Sequence, residues 1–441
     1  MASARQPSLA QRPGRVMEPS SHQLQLARRI QRRHPPQWDH QVHPTHNTDL
    51  QMLPAYCTNV VAGRSIKETC AHVERVFVPV RDRVSPNRML PLGLWLSARA
   101  AEQLSESIGG GAELRDRLAD QGLSIVTLNG FPYHDFHGSE VKFRVYEPHW
   151  ADARRALHTQ RLAELLPDLL MPGTRTASIS TLPLGWRARF SQEGCGASLG
   201  IASALLEQTV RYLARLEERT GVRVTVDLEP EPGCMLDRAI DVVGFFEHAL
   251  RPRRGEPDPR RYIGVCHDTC HAAVMFEDQR DVLRAYRDAG ISVNKIQLSS
   301  APTADGSAQS ILELSDFSEP RYLHQTCVRS LGGVVEFFDD LPLAKAKNLA
   351  GEWRTHFHVP IFASTIGNLG TTQAAIVDCI HEIALWPSTD RPIFEIETYA
   401  WDVLPQAARD GAALVDGIVR EIDWCTGHMT GYQQTFGSSP T

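Results

Sequence analysis

The sequence has no apolar run approaching the roughly 18 residues that cross a bilayer as a helix, so membrane association would need a partner or a surface patch. It also lacks surplus positive charge. Its 46 Lys and Arg stand against 52 Asp and Glu, and a net charge of −6 gives no general reason to expect nucleic-acid binding. There is no disulfide framework, because the nine cysteines are odd in number and scattered from Cys57 to Cys425. The simplest compartment is a reducing cytoplasm, with peripheral membrane association arising only through partners. What is present is ordinary for a globule, 42% hydrophobic and 22% charged residues. The 441 residues suit one large barrel with insertions or two ordinary domains. Candidate strands continue to Glu397 without an interdomain linker, which favours one barrel.

The first 51 residues are rich in Arg, Gln, Ser, Pro and His and contain no strand pattern. Their basic stretches, Ala10–Gly14 and Leu24–Arg33, are not followed by the apolar segment of a secretory signal. A disordered extension or a misassigned start is expected for 1–51, a barrel for 52–430 and a flexible tail for 431–441.

The chemistry concentrates in Cys266-His267-Asp268-Thr269-Cys270-His271, which reads as a strand, Tyr262–Val265, running into a short loop. A carboxylate and an imidazole three positions apart suit a divalent metal. The plainer reading is an N-capping aspartate and a surface histidine. Cys266 shares strand parity with Asp268, yet a buried core thiol is the expectation for it. Other strand-like runs end on similar side chains. Val222–Leu228 closes on Glu229-Pro230-Glu231, Val293–Ile296 on Gln297, and Pro392–Ile396 carries Glu395 and Glu397, while Thr355–Phe362 carries His356 and His358. Helix-like stretches alternate with the strands, which implies parallel pairing and right-handed crossovers. Metal-competent residues at the carboxyl ends of successive parallel strands are the layout of a (β/α)8 TIM-barrel active site.

Eight strands are predicted, near Leu53–Asn59, Leu90–Leu96, Ser124–Asn129, Ala177–Leu182, Arg223–Glu229, Tyr262–Asp268, Val293–Leu298 and Pro392–Glu397. Thr355–Phe362 then belongs to a long insertion after the seventh strand that folds back over the barrel mouth. The alternative places it in the barrel and one of the first two runs outside. The insertion carries Arg321, His324 and Gln325, and a cation beside an imidazole there would grip an anionic or hydroxyl-bearing substrate, or form a surface ion pair. After the third strand, the loop Asn129–Gly138 offers His134 and His137 as nitrogen donors and Phe131, Tyr133 and Phe136 as an apolar wall.

Leu228-Glu229-Pro230, Asp268-x-x-His271, the strand with Gln297 and the Glu-bearing last strand resemble, in order, the metal-binding strands of the xylose isomerase-like superfamily. That superfamily holds sugar isomerases, ketohexose 3-epimerases and apurinic endonucleases. By the epimerase pattern, Glu229, Asp268, Gln297 and Glu397 would surround one divalent ion, with His271 touching substrate and Glu229 and Glu397 moving the proton. Gln297 stands where the epimerases have His. By the endonuclease pattern, which shares the Asp-Thr-Cys-His string, His271, His356 and His358 would hold further zinc.

Over nearly the whole chain from Met52, the sequence is similar to the EboE metabolite-traffic proteins. The likeness is carried by Tyr56-Cys57-Thr58-Asn59-Val60, Thr127-Leu128-Asn129-Gly130-Phe131-Pro132-Tyr133, Ser178-Ile179-Ser180-Thr181-Leu182-Pro183, Glu319-Pro320-Arg321-Tyr322-Leu323-His324-Gln325, His356-Phe357-His358-Val359-Pro360 and Glu397-Thr398-Tyr399-Ala400-Trp401. It implies a role in making or moving a secondary metabolite beside membrane-bound operon partners.

The working site is therefore Glu229, Asp268, Gln297, Glu397, His271, His356 and His358 as metal ligands, with Glu395 as the alternative last ligand. Glu229 and Glu397 are the expected acid–base groups, and His271, Arg321, His324 and Tyr133 the expected substrate contacts. The ion would be Mn²⁺, Mg²⁺ or Zn²⁺, since an amide oxygen at 297 is a poor zinc donor. Three classes stay open for a small-molecule metabolite: an isomerase or epimerase, a multinuclear zinc hydrolase, and a non-catalytic binding barrel.

Overall fold

The structure is a computed structural model that describes Arg15–Val16 and residues 53–134, 138, 141–190, 194–405 and 413–436. Eight parallel strands close into a barrel: β1 Ala55–Cys57, β2 Leu90–Trp95, β3 Leu123–Asn129, β4 Thr176–Thr181, β5 Arg223–Leu228, β6 Ile263–Asp268, β7 Val293–Leu298 and β8 Ile393–Ile396. Each is a short, largely buried run, as expected of strands covered by helices on one side and by barrel filling on the other. Closure is completed by β8 pairing with both β7 and β1. The chain is thus a (β/α)8 barrel.

Several helices between the strands start where a side chain accepts the first free N–H groups. Ser65 caps Ile66–Val84, Asp152 caps Ala153–Leu169 and Asp278 caps Gln279–Asp288. The long helix Cys195–Thr220 ends at Gly221, whose φ of +71° is the left-handed turn that glycine adopts without strain.

The insertion after β7 forms a sheet of its own rather than a bare loop. Its antiparallel order is Arg15–Val16, Val335–Phe338, Thr326–Arg329, Glu352–Thr355, Pro302–Ala304, Leu369–Thr371 and Thr365–Ile366. Thr355 ends the fourth of these strands, so the run carrying His356 and His358 lies in the insertion and not in the barrel. Two terminal expectations change. Arg15–Val16 pairs with Val335–Phe338, so the N-terminal stretch is not without strand, and the final helix, Leu414–Phe436, runs through the segment expected to begin a tail at 431.

The barrel interior holds a fully buried ion pair. Lys295 Nζ lies 2.7 Å from Glu395 Oε2 and donates to Asn129 Oδ1 at 2.6 Å. Burial disfavours the ammonium, but the attraction of Glu395 overrides it and raises the Lys295 pKa. Only a glycine leaves room on β2. A Cβ on Gly93 would sit 1.4 Å from Glu395 Oε1 and 3.0 Å from Asn129 Nδ2. Gly93→Ala is expected to lower the unfolding free energy in denaturant by about 1–3 kcal/mol through overpacking. Gly200→Ala, on an open helix face with nothing within 4 Å, should instead raise it by about 0.5–1 kcal/mol. A Gly93→Ala protein as stable as the unsubstituted one would contradict the buried pair.

Candidate metal centre

Three carboxylates meet at the carboxyl end of the barrel. Glu229 follows β5, Asp268 ends β6 and Glu397 follows β8, and each offers an oxygen within 4.8 Å of the others. Glu395 stands one pleat deeper on β8 and is committed to Lys295, which leaves Glu397 at the mouth. Glu397 Oε1 is held by Asn59 Nδ2 at 2.6 Å. Asp268 is the helix N-cap of the plainer reading, although the histidine three positions on, His271, is buried rather than on the surface. Asp268 Oδ1 caps the helix Thr269–Val274 by accepting from His271 N at 3.0 Å, and also accepts from Ser299 Oγ at 2.6 Å. Its Oδ2, like Glu229 Oε2, is buried with no hydrogen-bond partner among the described residues.

Three imidazoles adjoin this group. His271 Nδ1 faces Pro230 O at 2.9 Å, His358 Nδ1 faces Glu397 O at 2.7 Å and His356 Nδ1 faces Gln325 Oε1 at 2.9 Å. The Gln325 amide nitrogen is turned to Tyr146 Oη at 2.7 Å and Glu231 Oε1 at 3.0 Å, which fixes its oxygen toward His356. Each acceptor can only take a proton from Nδ1, so each ring is left to present Nε2 as a lone pair. His271 Nε2 and His356 Nε2 lie 3.2 Å apart. His358 Nε2 has no hydrogen-bond partner among the described residues and lies 3.8 Å from Asp268 Oδ2, with His271 Nε2 at 3.9 Å from the same oxygen. Histidines that donate outward and point a bare nitrogen inward are arranged as metal ligands are.

The electrostatics agree. Burial, with the like charges of Glu397 and Asp268, raises the Glu229 carboxyl well above the carboxylate range, and burial with Asp268 and Glu395 does the same to Glu397. Burial also raises Glu231. It lowers His358 to about 4 and His356 well below its ordinary value, which keeps both rings neutral. Burial opposes ionisation of Asp268 too, but His271 and His358 more than offset it and lower its pKa.

This donor set fits a divalent cation, because buried oxygens and imidazole nitrogens without hydrogen-bond partners among the described residues converge there, and no described Lys or Arg is paired with them. Glu229, Asp268 and Glu397 form one set; Asp268, His271 and His358 a second; Glu231, His271 and His356 a third. The nitrogen content suits Zn²⁺ or Mn²⁺ better than Mg²⁺. Cys270 lies in reach of His356 and His358, although burial raises its thiol pKa strongly. Cys266 is a core thiol donating to Gln297 Oε1 at 3.5 Å, and Gln297 Nε2 donates to Asn129 Oδ1 at 3.2 Å. Gln297 therefore lines the cavity with its amide already engaged.

The cavity above these groups measures about 60 Å³, room for roughly four to six waters. His271 is on its wall, whereas Arg321, His324 and Tyr133 are not. Arg321 instead ties the mouth together. Its carbonyl accepts from Val141 N and Lys142 N at 2.8 and 2.9 Å, and its guanidinium pairs with Asp402 at 2.6 Å. His324 is buried with Glu319 and Asp340 each 3.5 Å away and stacks on Phe357. Tyr133 packs against His134 and His158. His134 is also off the wall, while His137 and Phe136 lie outside the described residues. Asn59, Asn129, Tyr146, Glu231 and Tyr399 line the cavity without having been singled out. A signal existed for Glu231, which shares parity with Glu229 two positions earlier.

No protein-family model and no curated protein matches the chain. Among solved structures it is similar to a xylose isomerase-like TIM barrel protein from Mycobacterium smegmatis in complex with magnesium, at 11% identity, over 86% of this chain and 97% of that one, with a TM-score of 0.46. A xylose isomerase domain protein from Planctomyces limnophilus gives 11% identity, 87% and 98% coverage and 0.45. The IOLI protein with a bound zinc atom gives 10%, 86% and 99%, and 0.41. At these values the likeness says nothing about chemistry in this chain, which rests on its own residues. Among the described residues, no helix is long and apolar enough to cross a membrane.

A carboxyl whose folded pKa is raised above its unfolded value binds more protons in the folded state, so it removes stability as the pH climbs from 4.5 toward the folded value. Chelator-treated protein should therefore lose thermal stability as the pH rises through this window. Glu229→Gln should flatten that loss, and a hundredfold excess of Mn²⁺ or Zn²⁺ over Kd should restore about 2–3 kcal/mol to the unsubstituted protein. Equal pH profiles for the two proteins would count against the carboxylate cluster.

Proposed function

We propose that this barrel is a divalent-metal-dependent enzyme that moves a proton on a small hydroxyl-bearing metabolite, in the manner of a sugar isomerase or epimerase. The EboE resemblance suggests that the metabolite belongs to a secondary-metabolite route served by membrane-bound partners. One observation carries the reading: Glu229 Oε2, Asp268 Oδ2 and His358 Nε2 are buried together without hydrogen-bond partners among the described residues. A divalent ion held there by Glu229, Asp268, Glu397 and the imidazoles would polarise a substrate carbonyl and acidify the neighbouring C–H.

Glu229 and Glu397 are the groups that move the proton. Burial and mutual repulsion favour the protonated form of both carboxyls in the ion-free site, and a bound ion would favour the carboxylate form that can accept a proton from substrate. Asn59 holds Glu397 Oε1 in place. Tyr146 and Gln325 hold Glu231 Oε1, and Gln325 also sets the tautomer of His356. Arg321, through Val141, Lys142 and Asp402, ties together the segments that frame the mouth. The cavity of about 60 Å³ favours a metabolite over a polymer.

A second reading, a multinuclear hydrolase, draws on the three inward Nε2 atoms, which would retain additional zinc beside the carboxylates. The two separate in D₂O. The full-length protein, incubated with a small-metabolite extract, should add one deuterium to a compound of otherwise unchanged composition, and Glu229→Gln should abolish that exchange. Cleavage to two products with no C–H exchange would favour the hydrolase, and neither change would leave a binding protein.

A further inference from the structure

The cavity has two unlike halves. Its floor is the metal centre, while the wall and roof are Phe131, Val141, Val145, Tyr322, Leu323 and Tyr399. Val141 and Tyr322 belong, with Trp95, to a small apolar cluster separate from the main core, against which Val145 and Tyr399 pack. Tyr322 and Tyr399 meet edge to face at 5.2 Å, and the Tyr399 ring lies 4.8 Å from that of His358. The aromatic surface therefore begins directly beside the imidazole ligands.

Charge on the wall is equally one-sided. Apart from the histidines, the cationic side chain lining the cavity among the described residues is Lys142, whose Nζ lies 2.8 Å from Asp340 Oδ2. Glu229, Glu231 and Glu397 supply acidic groups below. A phosphate ester would meet carboxylates on the floor and a cation already paired at the rim. An open-chain or pyranose sugar would turn part of its hydroxyl set toward Phe131, Val141, Val145 and Leu323, whose side chains offer no hydrogen bond in return for lost water.

From this juxtaposition we propose that the ligand of the site is an uncharged, compact carbon ring carrying two adjacent oxygens on one edge. The oxygens face the floor and the ring lies against Phe131 and the Tyr322–Tyr399 pair. The small cavity, about 60 Å³, argues for a compact ligand and against a nucleotide. This names a substrate class for the proposed metal-dependent site and rests on that reading.

Catechol, D-fructose and D-fructose 6-phosphate are the probes, titrated calorimetrically into full-length protein, as purified and after Mn²⁺ loading, with metal content measured on the same samples. Catechol should bind at least about tenfold more tightly than D-fructose, and the phosphate ester should not exceed the free sugar. Phe131→Ser should weaken catechol by about tenfold, with D-fructose and metal content unchanged. Val141→Thr keeps the side-chain shape and adds one hydroxyl, so it should narrow the preference in a protein that folds. Metal-loaded protein that binds D-fructose or its phosphate as well as catechol, or variants that leave the preference unaltered, would overturn the ring-ligand inference alone. A catechol preference in protein that takes up no metal would overturn the metal reading and leave the apolar wall standing. Failure to bind both metal and catechol would overturn the two together.

Discussion

The structure depends on burying like charges at one point. Glu229, Asp268 and Glu397 place oxygens within 4.8 Å of one another, and at an effective dielectric of about 20 each ionised pair repels by roughly 3–4 kcal/mol. Lys295 relieves this only in part, because its ammonium is bound to Glu395 and Asn129 a pleat deeper. Protonation of two of the acids is one escape and a divalent cation is the other. The three imidazoles, each donating outward and bare inward, are built for the second.

The surrounding chain is arranged to hold that point. Gly93 clears space for Glu395, which lets the Lys295 pair fill the barrel beneath the centre. The insertion brings His356 and His358 from outside the barrel, and the carbonyl of its Arg321 joins it to the segment after β3. The Arg321 guanidinium then reaches Asp402 after β8, so three segments are tied together at the mouth. Burial of the carboxylates lowers the local dielectric, and both the repulsion and the benefit of a cation grow with it.

Much of this was legible from local pattern. Short apolar runs marked all eight barrel strands, and the residues that end them marked the carboxylate centre, because strand-end position and parity are local properties. The shared parity of His356 and His358 likewise anticipated that both rings face one way, with centroids 5.3 Å apart. The choice between Glu395 and Glu397 was not local. Both have the same parity, and only the reach of Lys295 from the neighbouring strand separates them. Arg321 and His324 looked like substrate groups by composition, yet their partners Asp402, Glu319 and Asp340 were fixed by how the insertion folds. The insertion sheet was unreadable for the same reason, since its pairings, such as Arg15–Val16 with Val335–Phe338, link segments hundreds of residues apart.

The central claim is that buried, partly protonated carboxylates await a divalent ion, and such a site must release protons when the ion binds. Calorimetric titration of Zn²⁺ or Mn²⁺ into chelator-stripped protein near pH 6.5, repeated in two buffers of different ionisation enthalpy, counts those protons. The account predicts saturable binding with about one to two protons released per chain, in line with the raised values of Glu229 and Glu397. Absence of binding, or binding whose heat is the same in both buffers, would contradict it.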